Sequence, residues 1–203
     1  MTVVAAIAKA SRVWMAADTC TNYAGTDMLG ARKIRRITVG QDEALLAAAG
    51  NGAILAAAQR GLDITDTPDP DDDRAVAEWA DEVAVSATEN LATLSPSLLD
   101  EDSHDKRIDG AYLLAWRGRL IYLWTHQALV VPPQPSHGAA IAGLGVGTDL
   151  ALGVMHTGLG YGSNPDILVR QAVEQACDRY QGCRVGEDGP LIETLDNRAM
   201  EAA

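Results

Sequence analysis

Thr2-Val3-Val4-Ala5-Ala6-Ile7-Ala8, the turn Lys9-Ala10-Ser11-Arg12, and Val13-Trp14-Met15-Ala16-Ala17-Asp18 open the chain. Two short apolar runs rich in Val and Ala, separated by a polar turn, read as a β-hairpin entering a sheet. The head of that hairpin also carries chemistry. Thr2 stands directly behind Met1, so removal of Met1 leaves a hydroxyl and a free α-amine on one residue. Such an amine has an unperturbed pKa of about 7.7 to 8.0, so a useful fraction is an uncharged base near neutral pH, where a lysine would be almost wholly protonated. Thr2 is therefore a candidate self-activating nucleophile. Taken alone, Met-Thr reads as a start codon and nothing more, since many proteins begin that way.

Working outward, residues Asp18 to Gly30 are rich in Thr, Asn, Gly and Asp and read as a loop. Arg32 to Ile37 and Glu43 to Ala48 supply two further strands, the second running into Gly50-Asn51-Gly52. Ala53 to Leu62 reads as a helix, an acidic stretch with prolines breaks the chain from Asp63 to Asp73, and Ala75 to Leu94 reads as a longer amphipathic helix. The second half repeats the order. Gly110 to Trp116 and Leu120 to Trp124 are strands joined at Arg117-Gly118-Arg119, and Ala139 to Ala142 is another strand. The glycine run Gly143 to Gly147 opens a helix through Met155. Asn164 caps a last long helix with Pro165 at its first position, where the missing N–H has no partner to lose. Leu191 to Leu195 closes the sheet. Strands, helices, strands, helices within one domain imply an α+β protein with helices packed outside two stacked antiparallel sheets, a four-layer αββα sandwich.

Composition sets the frame. A chain of 203 residues fits one domain, residues 1–203, burying about 70% of the surface its unfolded form exposes. It is 47% hydrophobic but only 4% aromatic, with no Phe, so the core must be filled by small side chains in close contact. A net charge of −12 repels nucleic-acid backbones and anionic membranes, so neither is expected as partner. Cys20, Cys177 and Cys183 are odd in number and show no zinc spacing, which reads as reduced thiols. No run approaches the roughly 18 apolar residues of a membrane span, and the cytoplasm is the expected compartment. His104, His126, His137 and His156 lack ligand spacing, and Gly143-Leu144-Gly145-Val146-Gly147 lacks the GxGxxG pattern, so neither a metal nor a cofactor is expected. Asp71-Asp72-Asp73 reads as a solvated loop leading into a helix N-terminus.

Several stretches, in order and at nearly the right separation, resemble the proteasome β-type and HslV-like N-terminal threonine peptidases, a family of Ntn hydrolases. They are Thr2 to Ile7, Met15-Ala16-Ala17-Asp18, Ala31 to Ile37, and Ala48-Ala49-Gly50-Asn51-Gly52. Ala140-Ile141-Ala142-Gly143 and Leu191 to Leu195 follow in the same order, so the likeness covers nearly the whole chain.

The resemblance implies a set of roles. Thr2 would attack a peptide carbonyl while its own α-amine takes and returns the proton. Lys33 would stabilise the developing alkoxide, Asp18 would hold that ammonium, and the Gly50 N–H would serve as oxyanion donor. Asp178, in Asp178-Arg179-Tyr180-Gln181-Gly182, matches a retained acid whose serine partner has become Gln181. Thr21, Asn22 and Ala48 would line the pocket for the substrate side chain, giving a roomy, weakly selective site with some apolar preference. A homo-oligomeric ring is implied, hexameric or heptameric, alone or stacked as a double ring, acting on peptides or unfolded protein and working with an ATPase unfoldase. One departure stands out: where the family has Gly-Ser-Gly, with a serine hydrogen-bonding the terminal amine, this chain has Gly143-Leu144-Gly145, with Thr148 a candidate substitute. A weakened or inactive ring-forming subunit, and a small-molecule amidase on the same fold, therefore stand beside the peptidase reading.

Overall fold

The structure, a computed structural model, describes residues 1–23, 26–51, 54–55, 58, 64, 66–94, 99–100 and 107–196. Its elements are β1 (Val3–Lys9), β2 (Arg12–Ala17), β3 (Thr21–Tyr23), β4 (Thr26–Met28), β5 (Ile34–Val39), β6 (Asp42–Gly50), α1 (Asp73–Leu94), β7 (Leu99–Asp100), β8 (Arg107–Ile108), β9 (Gly110–Trp116), β10 (Arg119–Trp124), β11 (Gln127–Val130), β12 (Ala139–Gly145), α2 (Thr148–Gly160), α3 (Pro165–Arg179) and β13 (Leu191–Asp196).

The opening hairpin pairs as its sequence suggests, from Val4 opposite Ala17 to Lys9 opposite Arg12. It forms the middle of a four-stranded antiparallel sheet in the order β12-β1-β2-β13. A second antiparallel sheet runs β11-β10-β9-β6-β5. Strand alternation then decides what each residue packs against. Val4, Ala6 and Ala8 of β1 share a buried cluster with Leu45 and Ala47 of β6 and Leu113 of β9, so this face looks toward the other sheet. Val3, Ala5 and Ile7 join Met155 of α2 and Val169 and Val173 of α3 in another. The opposite face of the second sheet, with Leu46, Leu114 and Trp116, buries α1 through Val76, Ala80 and Val83. Alanine supplies much of the contact surface, which is how a chain without Phe packs closely.

Polar contacts tie the two sheets at their margins. Arg36 of β5 donates to Glu193 at 3.1 Å and to the Thr194 carbonyl at 2.8 Å on β13. The Tyr122 hydroxyl of β10 donates to the Gly143 carbonyl of edge strand β12 and accepts from the Gly143 N–H, both at 2.9 Å. Beneath α1, buried Asp42 accepts from Trp116 at 3.1 Å and from Arg117 at 2.6 and 2.9 Å.

Several sequence expectations need adjusting. The stretch from Asp18 to Gly30 holds a small hairpin, β3 and β4, rather than loop alone. The glycines at 143 and 145 extend β12 instead of opening a helix; α2 begins only at Thr148 and runs to Gly160 rather than ending at Met155. Apolar strand residues on both sides outweigh the glycine signal, and the real turn falls at Gly147, whose added Cβ would press on Val3 and Ala176. β11 carries too short a pattern to have been read, and the β7–β8 pair escaped for the same reason. The helix expected over residues 53–62 falls mostly outside the described residues; Ile54, Leu55 and Ala58, which are described, are helical. Asn164 caps α3 through the Asp166 N–H with Pro165 at the first turn, as expected. Among the described residues no helix is long and apolar enough to cross a membrane.

Candidate active site

The two ends of the opening hairpin meet at Asp18. Its backbone N–H donates to the Val3 carbonyl at 3.1 Å, continuing the β1–β2 ladder by one residue. Its side chain is fully buried, a placement that a carboxylate tolerates only when paired and hydrogen-bonded. Oδ1 accepts from the Val3 N–H at 2.9 Å and from Lys33 Nζ at 2.8 Å; Oδ2 accepts from Lys33 Nζ at 2.9 Å and from the Cys20 N–H at 3.3 Å. Asp18 therefore grips Lys33 and also the peptide unit that follows Thr2. Sequence reasoning assigned it only the first task.

Lys33 lies one residue before β5 rather than on the strand, with its side chain 11% exposed. Its ammonium also donates to Thr2 Oγ1 at 3.0 Å and to the Met1 carbonyl at 3.1 Å. With three protons and four acceptors, it must share one proton between two oxygens. A cation this close to a hydroxyl stabilises negative charge developing on that oxygen, and more strongly where water is largely excluded. With Met1 attached, the Thr2 nitrogen is a peptide amide and carries no basic lone pair.

Two glycines make room. Gly145 pairs with Val3 and has a φ of 86°; a Cβ there would overlap the Thr2 carbonyl. Only glycine lets β12 close so tightly on Thr2. Gly50, at the end of β6, has a φ of 125° opposite Gly110, and an added Cβ would overlap the Asp109 carbonyl and the Gly110 Cα. The sheet itself demands glycine at position 50, beyond any demand from substrate approach.

Thr2, Thr21, Asn22, Ala48 and Gly50 border one cavity of about 160 Å³, together with Arg32 and Lys33. Arg32, Asn51 and Leu55 also border it, and sequence reasoning had not singled them out. Of two larger cavities, one of about 640 Å³ lies at the far hairpin turns around Ser11 and Gly118, and one of about 620 Å³ adjoins the Thr2 cavity, sharing Met1 and Asn22 and continuing to Asp27 and Arg184.

Two antiparallel sheets, with α2 and α3 packed on one and α1 on the other, belong to a known architecture. The chain has the fold of the proteasome-type peptidases. A structure of Thiobacillus denitrificans BPH in complex with epoxomicin superposes with a TM-score of 0.70 at 16% identity, covering 96% of this chain and 98% of that one. Eukaryotic HslV from Trypanosoma brucei gives 0.64 at 14% identity, over 96% and 99%. Anbu, an ancestral β-subunit from Yersinia bercovieri, gives 0.64 at 14%, over 97% and 82%. No family model matches the sequence, and neither does any curated protein. Identities this low speak for the proteasome-type fold, not for the chemistry.

Within that fold, Leu144 keeps the departure its sequence shows, and neither Thr148 nor Asp178 bonds to Thr2 among the described residues. Leu144 is buried, pairs with Val4 and belongs to the core between the sheets, offering no polar atom near Thr2. Thr148 donates its hydroxyl to the Gly145 carbonyl at 2.7 Å at the start of α2, so it is engaged away from the Thr2 nitrogen. Asp178 is exposed in the last turn of α3 and makes no hydrogen bond or ion pair to Thr2, Asp18 or Lys33 among the described residues. The segment after it reaches the site by another route, Gly182 lying against the Met1 side chain.

The neighbouring thiols are held in their protonated form. Burial, then the Asp27 and Asp18 carboxylates, push the Cys20 thiol up, and burial pushes Cys177 up to about 12, so both stay protonated near neutral pH. Among the described residues no group of three His, Cys, Asp or Glu side chains could hold a metal ion.

Proposed function

We propose that this chain is an N-terminal threonine hydrolase that cleaves peptide bonds, and that Thr2 becomes its first residue on loss of Met1. The contact that carries this reading is Lys33 Nζ at 3.0 Å from Thr2 Oγ1, with the ammonium held by fully buried Asp18. Thr2 Oγ adds to the carbonyl carbon of the scissile amide as the α-amine accepts the hydroxyl proton through a water. Lys33 steadies the oxygen while charge builds, and the Gly50 N–H serves the carbonyl oxygen, a donor whose loss costs about 3 kcal/mol in related chemistry. Collapse breaks the C–N bond, the amine returns its proton to the departing nitrogen, and an ester to Thr2 remains. Water then hydrolyses the ester by the same proton route, releasing the acid and restoring the hydroxyl.

The rest of the reading follows the resemblance. The chain forms one domain over residues 1–203, a four-layer αββα sandwich with α2 and α3 outside one sheet and α1 outside the other. It is cytoplasmic and assembles as a ring with an ATPase unfoldase delivering unfolded protein. Asp178 acts only indirectly, through the turn that ends at Gly182.

A second reading, a ring subunit with weakened activity, is favoured by Leu144, whose side chain gives the terminal amine no hydrogen-bond partner. Treatment with a peptide epoxyketone followed by mass spectrometry separates the two, because that warhead closes a ring only on a hydroxyl with an adjacent free amine. A morpholine adduct on Thr2, absent from Thr2→Ala, is the expected result. A native protein that retains Met1 and forms no adduct would sink the hydrolase reading.

A further inference from the structure

We propose that the candidate site selects substrates with an acidic side chain on the residue preceding the cleaved bond, and that Arg32 is the selecting residue. This rests on reading the 160 Å³ cavity as the substrate site of the hydrolase proposed above.

Among the described residues that border that cavity, two have charged side chains, and both are cationic: Arg32 and Lys33. Lys33 is already matched, since both Asp18 oxygens lie within 2.9 Å of its ammonium. Arg32 is exposed and pairs with no acid among the described residues. Asp27, on the neighbouring cavity, is engaged elsewhere: Asn22 donates to it at 2.9 Å and Arg184 faces it at 3.8 Å.

The backbone holds Arg32 in position. The Ala31 N–H donates to the Thr19 carbonyl at 2.9 Å on one side, and the Lys33 clamp on Asp18 fixes the other. These residues precede β5 and do not alternate as a strand, so Ala31, Arg32 and Lys33 all border the same cavity. A fixed Cα with an exposed guanidinium suits a bidentate grip on a carboxylate that enters from solvent.

With Met1 still forming one wall, the cavity is smaller than the roughly 300 to 1,000 Å³ of a drug-sized site and matches one side chain; loss of Met1 opens it on that side only. The other polar side chains on its border, Thr21, Asn22 and Asn51 among them, carry no charge. The net charge of −12 works against an acidic substrate at long range, yet it is screened beyond about 10 Å at 0.1 M salt, while Arg32 acts at contact. A carboxylate preference thus replaces the apolar preference expected from Thr21 and Ala48.

The test uses peptides identical except for Glu, Gln or Lys before the reporter amide. Cleavage is followed with the wild-type protein, and binding by NMR titration with the Thr2→Ala protein, which holds substrate without turning it over. The Glu peptide should bind and be cleaved about three- to tenfold better than the Gln isostere, with Lys last, as one solvent-accessible ion pair allows. Arg32→Gln should erase the gap, and Arg32→Glu should invert the order. Thr2-dependent cleavage with no ranking, or a ranking that survives Arg32→Glu, would overturn the selection while leaving the hydrolase standing. Binding ranked by Arg32 without any cleavage would do the reverse.

Discussion

Removing the cation beside Thr2 should show how tightly the site is bound into the fold. In Lys33→Met, the fully buried Asp18 carboxylate loses both contacts to the ammonium, at 2.8 and 2.9 Å. It keeps only the Val3 and Cys20 N–H groups, at 2.9 and 3.3 Å. Breaking a buried pair by removing one partner costs about 3 to 5 kcal/mol, because the remaining charge is left without its counterion. For a chain of 203 residues, where each kcal/mol shifts Tm by about 2 to 4 °C, the drop should be about 6 to 20 °C. Asp18→Asn in the same background replaces the stranded charge with a neutral amide whose oxygen can still accept from Val3. The double variant should therefore be more stable than the sum of the two single losses by at least about 1.5 kcal/mol. Urea unfolding followed by circular dichroism, with the slope checked for constancy, measures all four corners of this cycle. Additivity within about 0.5 kcal/mol would mean that the pair is not coupled as the geometry requires.

Three further outcomes follow from the same structure. Gly145→Ala should cost more than about 2 kcal/mol and abolish Thr2-dependent turnover, because its Cβ would overlap the Thr2 carbonyl; Gly138→Ala, also at positive φ but with open space around it, should cost only about 1 to 2 kcal/mol and spare activity. Tyr122→Phe strips both the N–H and the carbonyl of Gly143 of their cross-sheet partner and should lose about 1 to 3 kcal/mol in urea titration. For Cys177, burial raises the folded-state pKa from 9.0 to about 12, so the folded state is favoured in full below pH 9 and that contribution is lost as pH rises toward 12. Cys177→Ala should accordingly flatten the alkaline fall in stability, and a slope identical to wild type over pH 9 to 12 would refute the assignment.

Much of the architecture was legible because it is written in periodicity and punctuation. The apolar runs at Thr2 to Ala8 and Val13 to Ala17, the Arg117-Gly118-Arg119 turn, and Asn164-Pro165 mark their elements locally, so β1, β2, β9, β10 and α3 fall where their residues indicate. The glycines at 143 and 145 misled for a physical reason: their role is to admit Thr2 and a neighbouring strand, a demand set by chain segments more than 100 residues away in sequence.

By itself, the amino-acid order determined the hairpin, the alternation of strands and helices, and the presence of a threonine, an aspartate and a lysine at the positions the resemblance singles out. Only the tertiary structure decided that the three meet, since Lys33 reaches Thr2 directly across 31 positions of chain while one buried carboxylate holds its ammonium. It also decided that Leu144 is spent on the core, that Asp178 faces solvent, and that Arg32 borders the cavity. Side-chain direction depends on which strand lies opposite and which face is covered, and that is a property of the packed sheets rather than of any local run of residues.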